Sequence, residues 1–187
     1  MDIASKNRTG EKRMKRGFLG SMLLVLALGL MVSCGKKKDD ATAAPANCSR
    51  PLQLLWNGNN VDNMTAATDE GVNGAKGAGY QFIRNEGYIS ATRQPGMVPL
   101  QLFYKDGDNF TTATDAGAQS AVGAGYTLIR IEGYVYPASR PGTIPLKLYF
   151  TGHDNLTLAS SDTEKTAQAG NYALVRIEGY VCVAPSP

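Results

Sequence analysis

The chain has 187 residues and a formal net charge of +3, with one histidine and three cysteines. Six basic and two acidic residues lie in the first 33 positions, so 13 basic and 14 acidic residues remain from Cys34 onward. A domain so close to neutrality gives no electrostatic reason to expect nucleic acid or anionic lipid as a partner.

Residues 1–33 have the layout of an export signal. Lys12, Arg13, Lys15 and Arg16 are followed by an apolar run of 15 residues, 18–32, and then by Ser33. This run is shorter than the ~20 residues that a spanning helix needs, and a basic region, an apolar run and a small residue in that order are typical of a signal peptide. Translation could start at Met1 or at Met14, since Met14-Lys15-Arg16 would suffice as the basic region.

The end of the leader, Met31-Val32-Ser33-Cys34, resembles the lipobox of bacterial lipoproteins. The resemblance implies cleavage before Cys34 and lipidation of Cys34, so that the membrane becomes a partner through the lipid. An ordinary signal peptide or an uncleaved anchor is the alternative. Gly35, where many Gram-negative lipoproteins with another destination carry Asp, implies the outer membrane, on either of its faces. Residues 34–47 are small, polar and Pro-containing, which predicts a flexible tether.

The remainder, 48–183, is predicted to be a single domain of three repeats, at about 50–95, 96–141 and 142–183. The clearest marker is Glu-Gly-Tyr, whose tyrosines are Tyr88, Tyr134 and Tyr180. Successive tyrosines are 46 residues apart. Repeats of this length usually share one continuous core.

Each repeat opens with a predicted strand of the form Pro-Leu-polar-Leu. Alternation turns one face toward a core, and the inward positions are Leu52, Leu54, Trp56, Leu100, Leu102, Tyr104, Leu146, Leu148 and Phe150. By the same alternation, Phe103 and Tyr149 fall on the opposite, polar face. A turn rich in Gly and Asn follows, and then a short strand that opens with Asp-Asn.

A short helix is predicted next, at about 70–76, 116–122 and 163–169. The expected N-caps lie in Thr68-Asp69, Thr114-Asp115 and Ser160-Ser161-Asp162, and the expected C-terminal caps are Gly77, Gly123 and Gly170. Two helical turns are not stable alone, so each helix must pack on the sheet. The repeat closes with a strand in which Arg-x-Glu predicts an ion pair on one face and the following glycine, at 87, 133 and 179, predicts a bulge or bend.

Cys48 and Cys182 flank the three repeats. An exported protein permits disulfides, and we predict that these two cysteines pair; two free thiols are the alternative. Because a bond needs Cα atoms within about 7 Å, pairing would bring the domain ends together and close the repeats into a ring. We therefore predict a mainly β fold with short helices, a β-trefoil-like pseudo-threefold domain. A three-bladed arrangement of small sheets with helices at the rim is the alternative.

Several short motifs recur in fixed order over nearly all of 50–182. Segments such as 142–149, 107–112 and 132–135 resemble a bacterial secreted and surface repeat family of unknown function, with Val-Pro-Leu-Tyr-Arg-Leu-Tyr, Asp-His-Phe-Tyr-Thr-Thr, Gly-Tyr and Glu-Gly-Ile-Ala-Gly-Tyr-Val motifs. Such repeats often accompany hydrolase or peptidase domains, which implies an accessory binding role. This chain has Asn63, Asn109 and Asn155 where the family has His.

The residues do not predict catalysis. His153 lies in one turn without a counterpart in the other repeats, no Ser or Cys has a plausible base partner, and no His/Cys cluster has metal spacing. We therefore expect no catalytic residue, no metal and no cofactor. The pair Asp106 and Asp108 faintly resembles part of a calcium loop without its remaining ligands.

Binding is the favoured function, as a carbohydrate- or cell-wall-binding module. The candidate ligand-binding residues are Asp62, Asn63, Asp108, Asn109, Asp154, Asn155, Phe103 and Tyr149, because sugars are held by planar hydrogen bonds beside an aromatic ring. In the alternative reading, each Asp-Asn only forms a turn with its own backbone. Glycan or peptidoglycan is thus one expected partner, and an envelope protein, bound by a structural or interaction module, is the alternative.

Overall fold

The computed structural model describes residues 47–186. The predicted signal peptide, Cys34 and nearly all of the predicted tether lie outside the described residues. Within them the fold is mainly β, with nine strands in two antiparallel sheets and three short helices. The prediction of a mainly β fold with short helices is confirmed.

The order strand, strand, helix, strand occurs three times along the chain, and each occurrence is called a unit below. Unit 1 consists of β1 (Arg50–Asn57), β2 (Asp62–Ala66), α1 (Asp69–Gly77) and β3 (Gln81–Ile89). Unit 2 consists of β4 (Val98–Lys105), β5 (Asp108–Thr112), α2 (Asp115–Gly123) and β6 (Thr127–Val135). Unit 3 consists of β7 (Thr143–Phe150), β8 (Asn155–Leu158), α3 (Ser161–Ala169) and β9 (Ala173–Cys182).

In every unit the first strand lies between the other two and is antiparallel to both. A single pair joins β3 to β9, so the larger sheet has the order β2-β1-β3-β9-β7-β8, while β5-β4-β6 forms the smaller one. The ends of the three last strands are linked by backbone pairs: Tyr88 with Cys182, Ser90 with Tyr134, and Tyr136 with Tyr180. Each unit is thereby joined to both of the others.

The helices begin at the predicted N-caps. The side chains of Thr68, Thr114 and Ser160 accept a hydrogen bond from the backbone N–H three residues later. The predicted C-terminal glycines are partly wrong: Gly77 and Gly123 are the last helical residues, whereas Gly170 is a C-cap. The residues with positive φ that follow are Gly79, Gly125 and Asn171, because reversing the chain after a helix requires the left-handed region.

The core has a central cluster, a small cluster around Cys48 and Cys182, and three peripheral clusters. Corresponding residues of all three units meet in the central cluster, which includes Leu52, Leu100, Leu146, Ile89, Val135 and Val181. Each peripheral cluster lies beneath one helix and takes in one leucine from the first strand of another unit. Leu102 packs beneath α1, Leu148 beneath α2, and Leu54 beneath α3. The units therefore share their cores in a cyclic order.

Phe103 and Tyr149 occupy the face of the first strand that alternation predicted to be polar and exposed. They are only 3% and 1% exposed, so this part of the prediction is wrong. The physical reason is that the helix of the same unit covers that face: Phe103 packs with Ala121 of α2, and Tyr149 with Ala167 of α3. The first strand is consequently buried on both faces.

Two register shifts distort each last strand. In unit 1, Gly87 and Asn85 pair with consecutive residues of β1, which leaves Glu86 between them as an extra residue. Arg84 and Phe82 also pair with consecutive residues of β1, which leaves Ile83 as a second extra residue. The same shifts recur in units 2 and 3. The predicted bulge at the glycines is confirmed, and the second bulge was not predicted. Because a bulge redirects a side chain, the side chains of the two extra residues do not follow the usual alternation between the faces of the strand.

Candidate functional site

Three surface clefts lie between the helix of one unit and the strands of another. The Trp56 cleft, between α3 and strands β1 and β3, has a volume of about 390 Å³. The Tyr104 cleft, between α1 and strands β4 and β6, has about 280 Å³. The Phe150 cleft, between α2 and strands β7 and β9, has about 230 Å³. Clefts of this size, each repeated at the same junction, are the candidate ligand sites.

Each cleft has an aromatic ring on its wall, contributed by the end of a first strand. Trp56 is half-buried, while Tyr104 and Phe150 are 44% and 39% exposed. They share a strand face with Leu54, Leu102 and Leu148, which line the floors of the same clefts. The predicted inward face is thus correct for the leucines, but the strand continues past the core and leaves its last aromatic beside solvent.

The second bulge supplies the opposite lip of each cleft. The extra residue of the last strand is Ile83, Ile129 or Val175, and each lines its cleft. The next residue in every case is an arginine, Arg84, Arg130 or Arg176, which lines the same cleft. An aromatic ring, an aliphatic side chain and a guanidinium group therefore recur in all three clefts.

The polar part of each cleft is an Asn–Tyr pair bound to one aspartate, which is buried in two clefts and half-buried in the Phe150 cleft. In the Trp56 cleft, Asn63 Nδ2 donates to Asp154 Oδ2 (2.6 Å) and to the hydroxyl of Tyr172 (3.1 Å). The Tyr172 hydroxyl also donates to Asp154. The Tyr104 cleft has the same arrangement of Asn109 and Tyr80 on Asp62, and the Phe150 cleft has Asn155 and Tyr126 on Asp108.

The three aspartates meet where the units converge. One carboxylate oxygen from each of Asp62, Asp108 and Asp154 lies within 4.8 Å of the other two. Asp62 and Asp154 are 2% and 4% exposed. Burial raises the pKa of Asp62 to about 8, against the lowering effect of its bonds from Tyr80 and Asn109 and with a further increase from the charge of Asp154. Burial likewise raises the pKa of Asp154.

The aspartate cluster can hold a proton, and its oxygen donors are of the kind that hard cations prefer. In each aspartate, Oδ2 accepts from an Asn and a Tyr side chain. The Oδ1 atoms of Asp62 and Asp154 accept from backbone N–H groups, whereas Asp108 Oδ1 is buried without a hydrogen-bond partner. A cavity of about 330 Å³, lined by Asp62, Asp108, Asp106 and His153 among others, opens onto the cluster. Their convergence was not predicted, although the threefold recurrence of Asp-Asn in the sequence is the signal that could have indicated it.

The glutamate of the Arg-x-Glu-Gly motif has a structural task. Buried Glu132 accepts from the backbone N–H groups of Ala67 (2.8 Å) and Thr68 (2.7 Å) at the start of α1. Glu178 binds the start of α2 in the same way, and Glu86 the start of α3. A carboxylate at a helix N-terminus is favourable because it meets unpaired N–H groups and the positive end of the dipole.

The predicted Arg–Glu pair within this motif is confirmed in two units. Arg176 contacts Glu178 at 2.6 Å and Arg130 contacts Glu132 at 3.8 Å. In unit 1, Arg84 instead contacts Asp162 of α3 at 3.6 Å. The pair therefore fixes the glutamate that caps a neighbouring helix.

The predicted ligand-binding residues divide into three groups. Asp62, Asp108 and Asp154 form the cluster at the convergence of the units, and Asn63, Asn109 and Asn155 contribute to the clefts. Phe103 and Tyr149 lie in the core and present no ring face to solvent. Sequence reasoning missed the aromatics that do line the clefts, because Trp56, Tyr104 and Phe150 continue an inward-facing pattern and alternation cannot show where a core ends.

No family model, no curated protein and no solved structure matches the chain. The site must therefore be interpreted from its own chemistry.

Proposed function

We propose that the described domain is a pseudo-threefold, β-trefoil-like module, with three units about one axis and a helix in each. The cyclic contacts support this proposal. The hydroxyl of Thr65 donates to the carbonyl of Thr157, that of Thr111 to Thr65, and that of Thr157 to Thr111, at 2.6 to 2.9 Å. The aspartates, the leucines beneath the helices and the helix-capping glutamates follow the same cyclic order.

We propose further that this module binds carbohydrate and does not catalyse a reaction. The observation that carries the proposal is the threefold recurrence of a cleft with a partly exposed aromatic wall beside amide, hydroxyl and guanidinium groups. An aromatic ring packs against the apolar face of a pyranose, while planar side chains hydrogen-bond its hydroxyls. Three such clefts suit a polysaccharide, because simultaneous contacts raise the overall affinity.

The direct test is binding of the full chain, purified in detergent, to insoluble peptidoglycan, chitin and cellulose and to soluble envelope polysaccharides. We expect retention on at least one of them, and loss of retention when Trp56, Tyr104 and Phe150 are all replaced by Ala. Phe82→Ala is the matched control, since Phe82 is an exposed aromatic outside the three clefts. Retention on none of the glycans, or equal retention of the triple variant, would refute the assignment.

Asp108→Ala and Asn109→Ala are poor tests of glycan binding, although the sequence suggests them. Asn109 Nδ2 donates to Asp62 (2.8 Å) and to Tyr80 (2.9 Å) inside the buried cluster. Removing either side chain would leave buried polar groups without partners, which destabilises the fold itself. The exposed aromatic rings can be truncated with less risk to folding.

We propose that the chain is a cell-envelope lipoprotein held at the outer membrane through a lipid on Cys34. The lipobox-like leader and the tether of 34–47 support this, and both precede the folded region. Within residues 47–186, no helix is long and apolar enough to cross a membrane. Cys34→Ser should abolish labelling of the chain by radioactive palmitate in a Gram-negative host, whereas Cys48→Ser should leave it; labelling of Cys34→Ser would refute the anchor.

A protein-binding role is the second candidate, supported by exposed apolar side chains on the last strands. Phe82, Leu128 and Leu174 are about half exposed on strands β3, β6 and β9. Exposed apolar side chains grouped on a surface can form the contact with a partner protein. Capture of one envelope protein that Phe82→Ala reduces and the Trp56, Tyr104 and Phe150 triple variant retains would favour this candidate. It would also agree with the accessory role implied by the resemblance to surface repeats.

A further inference from the structure

The three clefts are built from corresponding residues but differ in volume and in the aromatic ring on the wall. The Trp56 cleft is the largest, at about 390 Å³, and has the only tryptophan of the chain on its wall. Cavities of roughly 300 to 1,000 Å³ are usual for small-molecule sites, and this volume suits one or two sugar rings. The side chains that line the Trp56 cleft therefore say most about the chemical groups that its ligand must have.

The floor of this cleft is aliphatic. Leu54, Leu156 and Ala167 line it and belong to the buried cluster beneath α3. A sugar hydroxyl placed against these side chains would lose its hydrogen bonds to water and gain none, which is unfavourable. The group that occupies the floor must therefore be apolar and small.

A specific acceptor stands beside the aliphatic floor. Asn63 lines the cleft, and its Nδ2 is occupied by Asp154 and Tyr172. Since Nδ2 donates to both of these partners, Oδ1 is the amide atom that remains to accept a hydrogen bond. No donor among the described residues bonds to this oxygen, so it can take an N–H from a ligand.

The Trp56 cleft also contains a hydrogen-bond donor, the guanidinium group of Arg84. Arg84 lines the opposite side, where it donates to Ser160 Oγ (3.1 Å) and contacts Asp162 (3.6 Å) through one of its terminal nitrogens, Nη1. The guanidinium group has five N–H donors, and these two contacts use few of them. The cleft therefore offers an apolar floor, an acceptor and a donor, together with the face of an indole ring.

Resting on the proposed glycan binding, we propose that the Trp56 cleft is selective for N-acetylated hexosamines. The acetamido group has the required parts: a methyl for the floor, an N–H for Asn63 Oδ1 and a carbonyl for Arg84. The pyranose ring packs against Trp56. Glycans of unsubstituted hexoses have no group that satisfies the floor and Asn63 together.

The experiment compares binding of chitotetraose and cellotetraose to the full chain in detergent, by isothermal titration calorimetry. These tetrasaccharides share the β-1,4 linkage and differ in the 2-acetamido group. We expect chitotetraose to bind roughly tenfold or more tightly, and Trp56→Ala to weaken it by roughly tenfold. Tyr104→Ala and Phe150→Ala are matched controls that change the other clefts and should weaken chitotetraose by about twofold at most.

The outcomes separate this inference from the function on which it rests. Equal affinity for the two tetrasaccharides, or equal weakening by all three single variants, overturns the acetamido selectivity and leaves glycan binding standing. If the chain binds only polysaccharides that have no acetamido groups, the acetamido selectivity is likewise overturned and glycan binding is left standing. If no glycan binds at all, glycan binding itself is refuted. Trp56→Ala should give the same circular dichroism spectrum as wild type, which shows that the variant folds. Trp56→Phe, which keeps an aromatic ring, should retain part of the affinity that Trp56→Ala loses.

Discussion

The buried aspartates give individual residues an unusual influence over the fold. Asp62 is protonated in the folded chain up to about pH 8 because burial disfavours its charged form. An unfolded aspartate releases its proton near pH 4. Between these two pH values the folded chain binds more protons than the unfolded chain, so stability decreases as the pH rises.

We predict that the free energy of unfolding decreases on the order of 2–4 kcal/mol between pH 5 and pH 9 in the wild type. Asp62→Asn should flatten most of this dependence, because an amide stays neutral throughout and keeps an acceptor for Tyr80 or Asn109. Urea unfolding at both pH values measures the effect. Asp106→Asn is the matched control, since Asp106 is exposed and lines the same cavity without joining the cluster.

A rise in wild-type stability over that pH range would contradict the prediction. Glu164 acts in the opposite direction: Lys147 and Tyr149 lower its pKa, so its contribution is present above its ordinary pKa and is lost in acid. That loss occurs below the chosen pH range and does not obscure the comparison.

At the scale of elements, the capping of one unit's helix by another unit's glutamate restricts which residues can start a helix. A Cβ added at Gly71 would lie 2.6 Å from Glu132 Oε1 and 2.9 Å from the hydroxyl of Thr68. Nothing lies within 4 Å of a Cβ at Gly74, three residues later in the same helix. Gly71 and Gly74 are therefore expected to respond oppositely to one methyl group.

We predict that Gly71→Ala destabilises the chain by roughly 1–3 kcal/mol, since the added methyl displaces the glutamate from its cap. Gly74→Ala should stabilise it by about 0.5–1 kcal/mol, because alanine loses less backbone entropy in a helix. Thermal unfolding of the two variants beside wild type measures both effects. If both variants stabilise the chain equally, the start of α1 tolerates a side chain and Glu132 does not hold the start of this helix.

The same element shows how far sequence reasoning extends. The strands, the helix N-caps at Thr68, Thr114 and Ser160 and the glycine bulges follow from local rules of propensity and spacing, so the sequence predicts them. The roles of Glu132 and Asp62 depend on residues 64 and 92 positions distant in the sequence, Thr68 and Asp154, which no local pattern reveals. Phe103 was misplaced for the same reason: its burial depends on where α2 packs.

At the scale of the molecule, a disulfide joins the two ends of the described domain. Cys48 and Cys182 form the predicted disulfide, with Cα atoms 6.2 Å apart and a sequence separation of 134. Cys182 also pairs with Tyr88, the contact that joins unit 3 to unit 1. The other two junctions, Ser90 with Tyr134 and Tyr136 with Tyr180, lie within the continuous chain. Of these three junctions, the one between units 1 and 3 is the one that the disulfide reinforces.

We predict that Cys48→Ser lowers the free energy of unfolding by roughly 4–5 kcal/mol on the chain-entropy model, because the bond closes a long loop in the unfolded state. Cys34→Ser is the control and should leave unfolding unchanged, since Cys34 precedes the predicted domain of residues 48–183. Hydrogen exchange locates the effect: amide protection at Tyr88 and Cys182 should fall more than protection at Ser90 and Tyr134, because the ring opens first where the chain ends meet. Equal loss at every junction would instead mean that the three units unfold as one and that closure depends on the shared core.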